Sequence, residues 1–136
     1  MKVLVTGGAG FIGSHLVARL LDQGSHVVAV DNFDPYYPRA HKERQIERLR
    51  GHAGLTFLEA DVRDAEAVRG WFGAWDIDTV VHLAARPGVR TSVNTPSETC
   101  DINVRGSLNV LEGMRERGVR DLVLVTSSSV YGNGPS

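Results

Sequence analysis

Three features of this sequence have residue types and spacing suited to chemistry. They are the glycines at 7, 10 and 13 in VLVTGGAGFIG, the acid Asp31, and the serine run Ser127, Ser128 and Ser129. Glycines spaced in this way between a strand and a helix expose unpaired backbone N–H groups to an anion. Gly7 permits a tight turn, Gly10 admits a phosphate without a Cβ in its way, and Gly13 lets helix pack against strand. The helix end itself contributes only ~0.3 to 1 kcal/mol for an exposed anion, so the N–H hydrogen bonds carry most of the holding.

Asp31 follows Gly13 by eighteen residues, at the end of a second apolar run. That is near the ~20-residue spacing of a carboxylate that accepts hydrogen bonds from adenosine ribose hydroxyls. A carboxylate there repels a 2′-phosphate, and no arginine follows immediately, so the reading favours NAD over NADP. The serines lack the Gly-x-Ser-x-Gly elbow of a hydrolase. His15, His26, His41, His52 and His82 show no metal-ligand spacing, and no metal site is expected.

These residues need a frame. Runs at Lys2 to Thr6, His26 to Val30, Leu55 to Glu59, Thr79 to Leu83 and Leu122 to Thr126 read as strands. Their nearly continuous apolar character predicts burial on both faces. Amphipathic stretches at Phe11 to Gln23, Arg39 to Arg50, Ala65 to Trp75 and Pro96 to Arg117 read as helices. The alternation predicts a doubly wound, Rossmann-like α/β sheet, five parallel strands in the order 3-2-1-4-5. Asp64 is the expected cap of the third helix. Thr95 is expected to cap the fourth, with Pro96 at its first position, Glu98 at its third and Gly118 as its stop. Trp71 and Trp75, spaced i and i+4, are expected to pack rather than to stack on bases.

The chain has 136 residues and a formal net charge of -1, which suits a single domain and a small-molecule partner rather than a nucleic acid. No apolar run approaches the ~20 residues of a membrane span. The single cysteine, Cys100, and the absence of a signal segment after Met1 predict a reducing, cytoplasmic setting.

Six stretches in fixed order then extend the pattern: TGGAGFIG, DNF from Asp31, DVRD from Asp61, HLAA from His82, NVRG from Asn103 and SSSVYG from Ser127. Together they resemble the extended short-chain dehydrogenase/reductases, and within them the NAD-dependent nucleotide-sugar epimerases. DNFDPYYPRAHKERQIERL and HLAARPGVRTSVNTP resemble the UDP-glucuronate 4-epimerases most. The resemblance implies that Phe11 and Ile12 supply N–H groups to the pyrophosphate, that Asp31 and Asn32 hold the adenosine ribose, and that Asp61 and Val62 flank adenine. Leu83, Ala84, Ala85 and Arg86 would line the nicotinamide side, with Asn103 reaching into the same cleft and Val125 among the cofactor-facing positions. Where some relatives carry a lysine after the HLAA-like segment, this chain has Pro87. Arg90, Ser128 and Ser129 would lie along the sugar, and Ser127 would hydrogen-bond the hydroxyl being oxidised.

The resemblance also implies a catalytic Tyr-x-x-x-Lys pair, which is not in these residues. Tyr36, Tyr37 and Tyr131 are followed four positions on by Ala40, His41 and Pro135. The expectation is therefore an NAD-binding domain over residues 1–136, truncated before the base and before the region that holds the sugar nucleotide. Alone it would be inactive, and its fifth strand would present an apolar edge. A second copy or a complementing C-terminal polypeptide would cover that edge. Two other readings stand beside it: an NAD-binding module with a scaffold or sensing role, and a fragment of a dehydratase. The dehydratase is disfavoured because Ser128 and Ser129 replace the acidic pair of those enzymes.

Overall fold

Leu4, Val28, Val30 and Val80 lie on one face of a sheet and Val3, Val5, Val27, Ala29 and Val81 on the other, all buried. Strands that are apolar on both faces need helices on both faces, and the computed structural model, which describes residues 1–132 and Gly134, supplies them. The strands are β1 (Lys2–Thr6), β2 (His26–Asp31), β3 (Leu55–Glu59), β4 (Thr79–His82) and β5 (Asp121–Leu124). They pair in parallel in the order β3-β2-β1-β4-β5, as expected. Among the described residues no helix is long and apolar enough to cross a membrane.

The crossovers are α1 (Phe11–Asp22), α2 (Arg39–Glu47) and α3 (Ala65–Ala74). Asp64 caps α3 as predicted, its carboxylate accepting the Glu66 and Ala67 N–H groups at 3.0 Å. Trp71 and Phe72 of α3 are buried against the sheet and against Val110 and Met114, and Trp75 packs on the same cluster.

The stretch expected as one helix from Pro96 to Arg117 is more broken than its pattern suggests. A short α4 (Val89–Asn94) precedes it. The helix itself runs as α5 (Pro96–Cys100), a π turn (Asp101–Arg105) and α6 (Gly106–Arg117), ending at Gly118 in the left-handed conformation. Thr95 does not cap it. Its hydroxyl instead donates back to the Thr91 carbonyl at 3.1 Å, because Thr95 also terminates α4.

Burial on both faces holds for β1, β2 and β4 but is only partial for β3, where Leu55 to Leu58 are half-buried and Glu59 is exposed. β5 presents the exposed apolar edge expected of it: Val123, Leu124 and the following Val125 are 52%, 51% and 48% exposed, and among the described residues no strand pairs beyond β5. The opposite edge differs. Glu59 of β3 is held there by Arg39, whose two terminal nitrogens lie 2.8 and 2.9 Å from its oxygens and whose guanidinium covers the Phe33 ring.

Candidate cofactor site

The carboxyl ends of the five strands converge, and the turn between β1 and α1 lies at their centre. Gly7 has φ +69°, and a Cβ there would meet the Ala84 nitrogen at 2.9 Å, so the glycine is required by both conformation and space. Gly13 would place its Cβ against the Gly7 carbonyl and 2.9 Å from the Gly8 Cα, so it lets the start of α1 close on the backbone just beyond the end of β1. Gly8, within the turn, packs on the sheet, where a Cβ would stand 2.8 Å from the Ala29 Cβ of β2. Gly10 meets only the Gly7 oxygen, at 3.2 Å, which leaves its outer side open.

The first bond into α1 runs from the Ser14 N–H to the Gly10 carbonyl. The N–H groups of Phe11, Ile12 and Gly13 therefore precede it with no internal acceptor among the described residues. Both Phe11 and Ile12 are largely exposed. Three donors beside a turn that admits no side chain at Gly7 or Gly13 form a cradle suited to an anion such as a pyrophosphate.

Asp31 is buried beside this cradle. Its Oδ2 accepts the Ala9 N–H at 3.2 Å, and its Oδ1 accepts the Phe33 N–H at 2.8 Å and Lys42 Nζ at 3.1 Å. The carboxylate thus fastens the glycine turn to the end of β2 and fixes Phe33 at φ +53°. Asn32 reaches the segment after β3, donating to Asp61 Oδ2 at 2.8 Å.

Asp61 also takes a forked ion pair from Arg63, with contacts of 2.7 to 3.1 Å. Burial alone would raise its pKa, but the Arg63 side chain, the Arg63 N–H and Asn32 outweigh that and hold it at about 2, below the usual 3.8. A depressed carboxyl stabilises the fold above its unfolded pKa and loses that stabilisation as pH falls through the folded value. Because Asp61 is only partly buried and its partner Arg63 is about a third exposed, solvent screening discounts the contribution to about 1 kcal/mol. Acid unfolding curves should show this loss between about pH 4 and pH 2 in the native chain. Asp61→Asn should flatten that segment, and an unchanged slope would refute the assignment.

Across the turn, Thr6 accepts the Leu83 and Ala84 N–H groups, each at 3.2 Å. Its hydroxyl lies 2.6 Å from Nδ1 of the buried His82, and Nε2 lies 3.0 Å from the Ser107 hydroxyl. Ser107 donates to the Asn103 carbonyl at 2.6 Å, which leaves it to accept from Nε2–H and assigns that tautomer. Burial lowers the His82 pKa and keeps the ring neutral.

Asn103, on the π turn, grips the Arg86 peptide from both sides. Its Oδ1 accepts the Arg86 N–H at 2.8 Å and its Nδ2 donates to the Arg86 carbonyl at 3.1 Å. It therefore holds the loop after β4 as a clamp. Asn109 does the same after β3, donating to the Val62 and Arg63 carbonyls at 2.9 and 3.0 Å. The Arg86 guanidinium turns to Glu98 and toward Asp34, which lies 3.5 Å away.

The structure thus gathers Gly7, Gly10, Phe11, Ile12, Gly13, Asp31, Asn32, Asp61, Val62, Leu83, Ala84, Ala85, Arg86 and Asn103 around one strand-end cleft. Val125 joins them through its N–H, which donates to the His82 carbonyl at 3.2 Å. Arg90 on α4 and Ser128 and Ser129 in the turn after β5 are exposed, with no hydrogen bond to that group among the described residues. Ser127 is occupied within its own turn. Its hydroxyl accepts the Ser129 N–H at 3.1 Å and donates to the Ser129 hydroxyl at 2.9 Å. Two grooves of about 630 and 720 Å³ run along α2 and along α5 to α6, and neither includes the glycine turn.

Sequence reasoning missed Thr6, Gly8, Lys42, Arg63, Ser107 and Asn109. Only Arg63, two residues after Asp61, carried a local signal. The others act through contacts across the sheet that no spacing reveals.

Comparison with known proteins meets this geometry from the other side. A UDP-glucuronate 4-epimerase of Thermodesulfobacterium geofontis is 40% identical over 128 residues, spanning 94% of this chain and 40% of that protein. A UDP-glucose 4-epimerase of Klebsiella pneumoniae is 39% identical over 139 residues, spanning 99% and 95%. The structure of a UDP-glucuronic acid 4-epimerase from Bacillus cereus, in complex with UDP-glucuronic acid and NAD, superimposes with a TM-score of 0.89 at 36% identity. It covers 100% of this chain, which spans 43% of that one. This chain spans about 40% of the length of most curated relatives it matches. Residues 3–136, from the first strand through the glycine turn to the serines after β5, match one family along their whole length, and the chain belongs to the NAD dependent epimerase/dehydratase family.

Proposed function

We propose that this chain forms the NAD-holding portion of a nucleotide-sugar 4-epimerase, with UDP-glucuronate or a UDP-hexose as the substrate and the cytoplasm as its setting. The observation that carries the reading is the glycine turn whose three free N–H groups, at the start of α1, stand beside the buried Asp31. The family and the relatives, which include 4-epimerases of both sugars, support it.

The Phe11, Ile12 and Gly13 N–H groups hold the pyrophosphate, and Asp31 with Asn32 receives the adenosine ribose. Asp61 and Val62 border adenine, Val62 being held in place by Asn109. The segment from Leu83 to Arg86, clamped by Thr6 and Asn103, faces the nicotinamide end together with Val125. NAD, when bound, supplies a reversible hydride acceptor.

Ser127 is assigned to the sugar hydroxyl, with Ser128, Ser129 and Arg90 along the sugar. In its present rotamer the Ser127 proton is committed to Ser129, so the hydroxyl must rotate to engage a substrate. General acid–base help contributes typically ~10²- to 10⁴-fold, and these 136 residues contain no Tyr-x-x-x-Lys pair to supply it. Turnover is therefore assigned to an assembly in which a second polypeptide, or further chain, provides that pair. The exposed apolar edge of β5 supports docking there, by that segment or by a second copy of this chain.

Calorimetric titration with NAD, on a sample of verified intact mass, tests the reading. Saturable binding with no epimerisation of UDP-glucuronate is expected from the chain alone, with epimerisation appearing when a polypeptide carrying Tyr-x-x-x-Lys is added. Absence of NAD binding would refute it, whereas binding without any complementation would favour a cofactor-binding module.

A further inference from the structure

The buried carboxylate beside the glycine turn is not an isolated acid. Asp31 is 4% exposed and Lys42 of α2 is 12% exposed, with Nζ 3.1 Å from Oδ1. A carboxylate offers about four acceptor positions. Three are taken, by Ala9 N–H, Phe33 N–H and Lys42. Asp31 therefore has room for one further hydrogen bond, not for both hydroxyls of a ribose diol.

Lys42 supplies what the carboxylate lacks. An ammonium has three N–H donors, and Asp31 is the only acceptor that Lys42 engages among the described residues. The neighbouring cation of α2 is not free in this way, since Arg39 is bound by Glu43 and Glu59 and lies over Phe33. The pair Asp31–Lys42 thus presents one acceptor and two donors side by side, with the carboxylate's charge offset by the ammonium.

We propose that Lys42 is a specificity-determining residue of the adenosine end: one ribose hydroxyl donates to Asp31, the other accepts from Lys42, and the ammonium admits a 2′-phosphate that the carboxylate alone would repel. The inference rests on the reading of this cleft as a dinucleotide site. It deepens that reading by making discrimination between NAD and NADP a property of two residues rather than of Asp31 alone. A phosphate monoester dianion gains from a nearby ammonium more than a neutral hydroxyl does, so removing the charge penalises NADP selectively.

Calorimetric titration of both dinucleotides against the native chain, K42M and K42R tests this. The ratio of the NADP to the NAD dissociation constant is expected to rise about 10-fold in K42M, corresponding to ~1.4 kcal/mol, and to stay within about 3-fold in K42R. If K42M fails to fold, as judged by its melting curve, K42Q carries the same expectation with a polar side chain. A ratio that stays within about 3-fold in a folded neutral variant that binds NAD overturns the role of Lys42 and leaves the cofactor site standing. Absence of NAD binding by the native chain overturns the site and this inference together.

Discussion

Gly13→Ala should abolish measurable cofactor binding, with affinity falling at least about 100-fold, equivalent to ~2.7 kcal/mol. The added methyl would sit on the Gly7 carbonyl and 2.9 Å from the Gly8 Cα, where backbone, not a flexible side chain, must give way. Relaxation would push the turn off the start of α1 and misalign the Phe11, Ile12 and Gly13 N–H groups. Overpacking of this kind typically costs ~1 to 3 kcal/mol of stability, so the melting temperature should fall as well. Gly10→Ala separates the two effects. Its Cβ meets only the Gly7 oxygen at 3.2 Å, so the fold should tolerate it while the blocked face of the turn still weakens NAD. Titration and melting of both variants decide the matter, and native-like NAD affinity in Gly13→Ala would show that the turn does not contact the ligand.

The second large effect is at Trp71, far from the cleft in sequence but coupled to it through α6. Truncating a buried tryptophan costs ~3 to 5 kcal/mol, a large share of the ~5 to 15 kcal/mol by which domains are stable. Trp71 packs in the cluster that includes Val62, Val110 and Met114, so Trp71→Ala also loosens the seat of the helix that carries Asn109. The expected result is a loss of ~3 kcal/mol or more in urea unfolding, accompanied by faster hydrogen exchange at the Arg86 N–H that Asn103 holds. A loss below about 1 kcal/mol would mean that the α3–α6 layer is not a principal part of the core.

Strand order was legible because apolar runs of four to six residues alternate with helical stretches, which leaves few unknotted right-handed windings. Gly7 and Gly10 were legible from spacing, and so was the position of Asp31. Gly13 was legible as a position of close approach, but its particular partner, the Gly7 backbone just beyond β1, was not. The π turn was hidden because residues 96–117 have helical composition throughout. Asn103, within that turn, reaches the Arg86 peptide, a contact seventeen residues back along the chain that helical composition does not reveal. Lys42 escaped notice for a related reason. On a helix with almost no apolar periodicity a lysine reads as a solvated charge, and only the fold brings it beneath β2. Burial of β3 was overestimated, because an edge strand can carry the same composition as a central one, whereas the exposed apolar edge of β5 was expected.

The two margins of the sheet give it a direction of growth. At β3 the last residue carries the Arg39–Glu59 ion pair, with the guanidinium lying over Phe33, so that margin ends in a charged, half-exposed pair. At β5 the backbone is unpaired and flanked by half-exposed valine and leucine, so that side is open. Extension from β5 leaves the β1–α1 turn in the interior of the enlarged sheet instead of at its margin, and any group carried by the added segment arrives on the Ser127 side of the cleft. The two margins therefore differ in chemistry: one ends in paired charge, and the other exposes apolar side chains next to the serine turn.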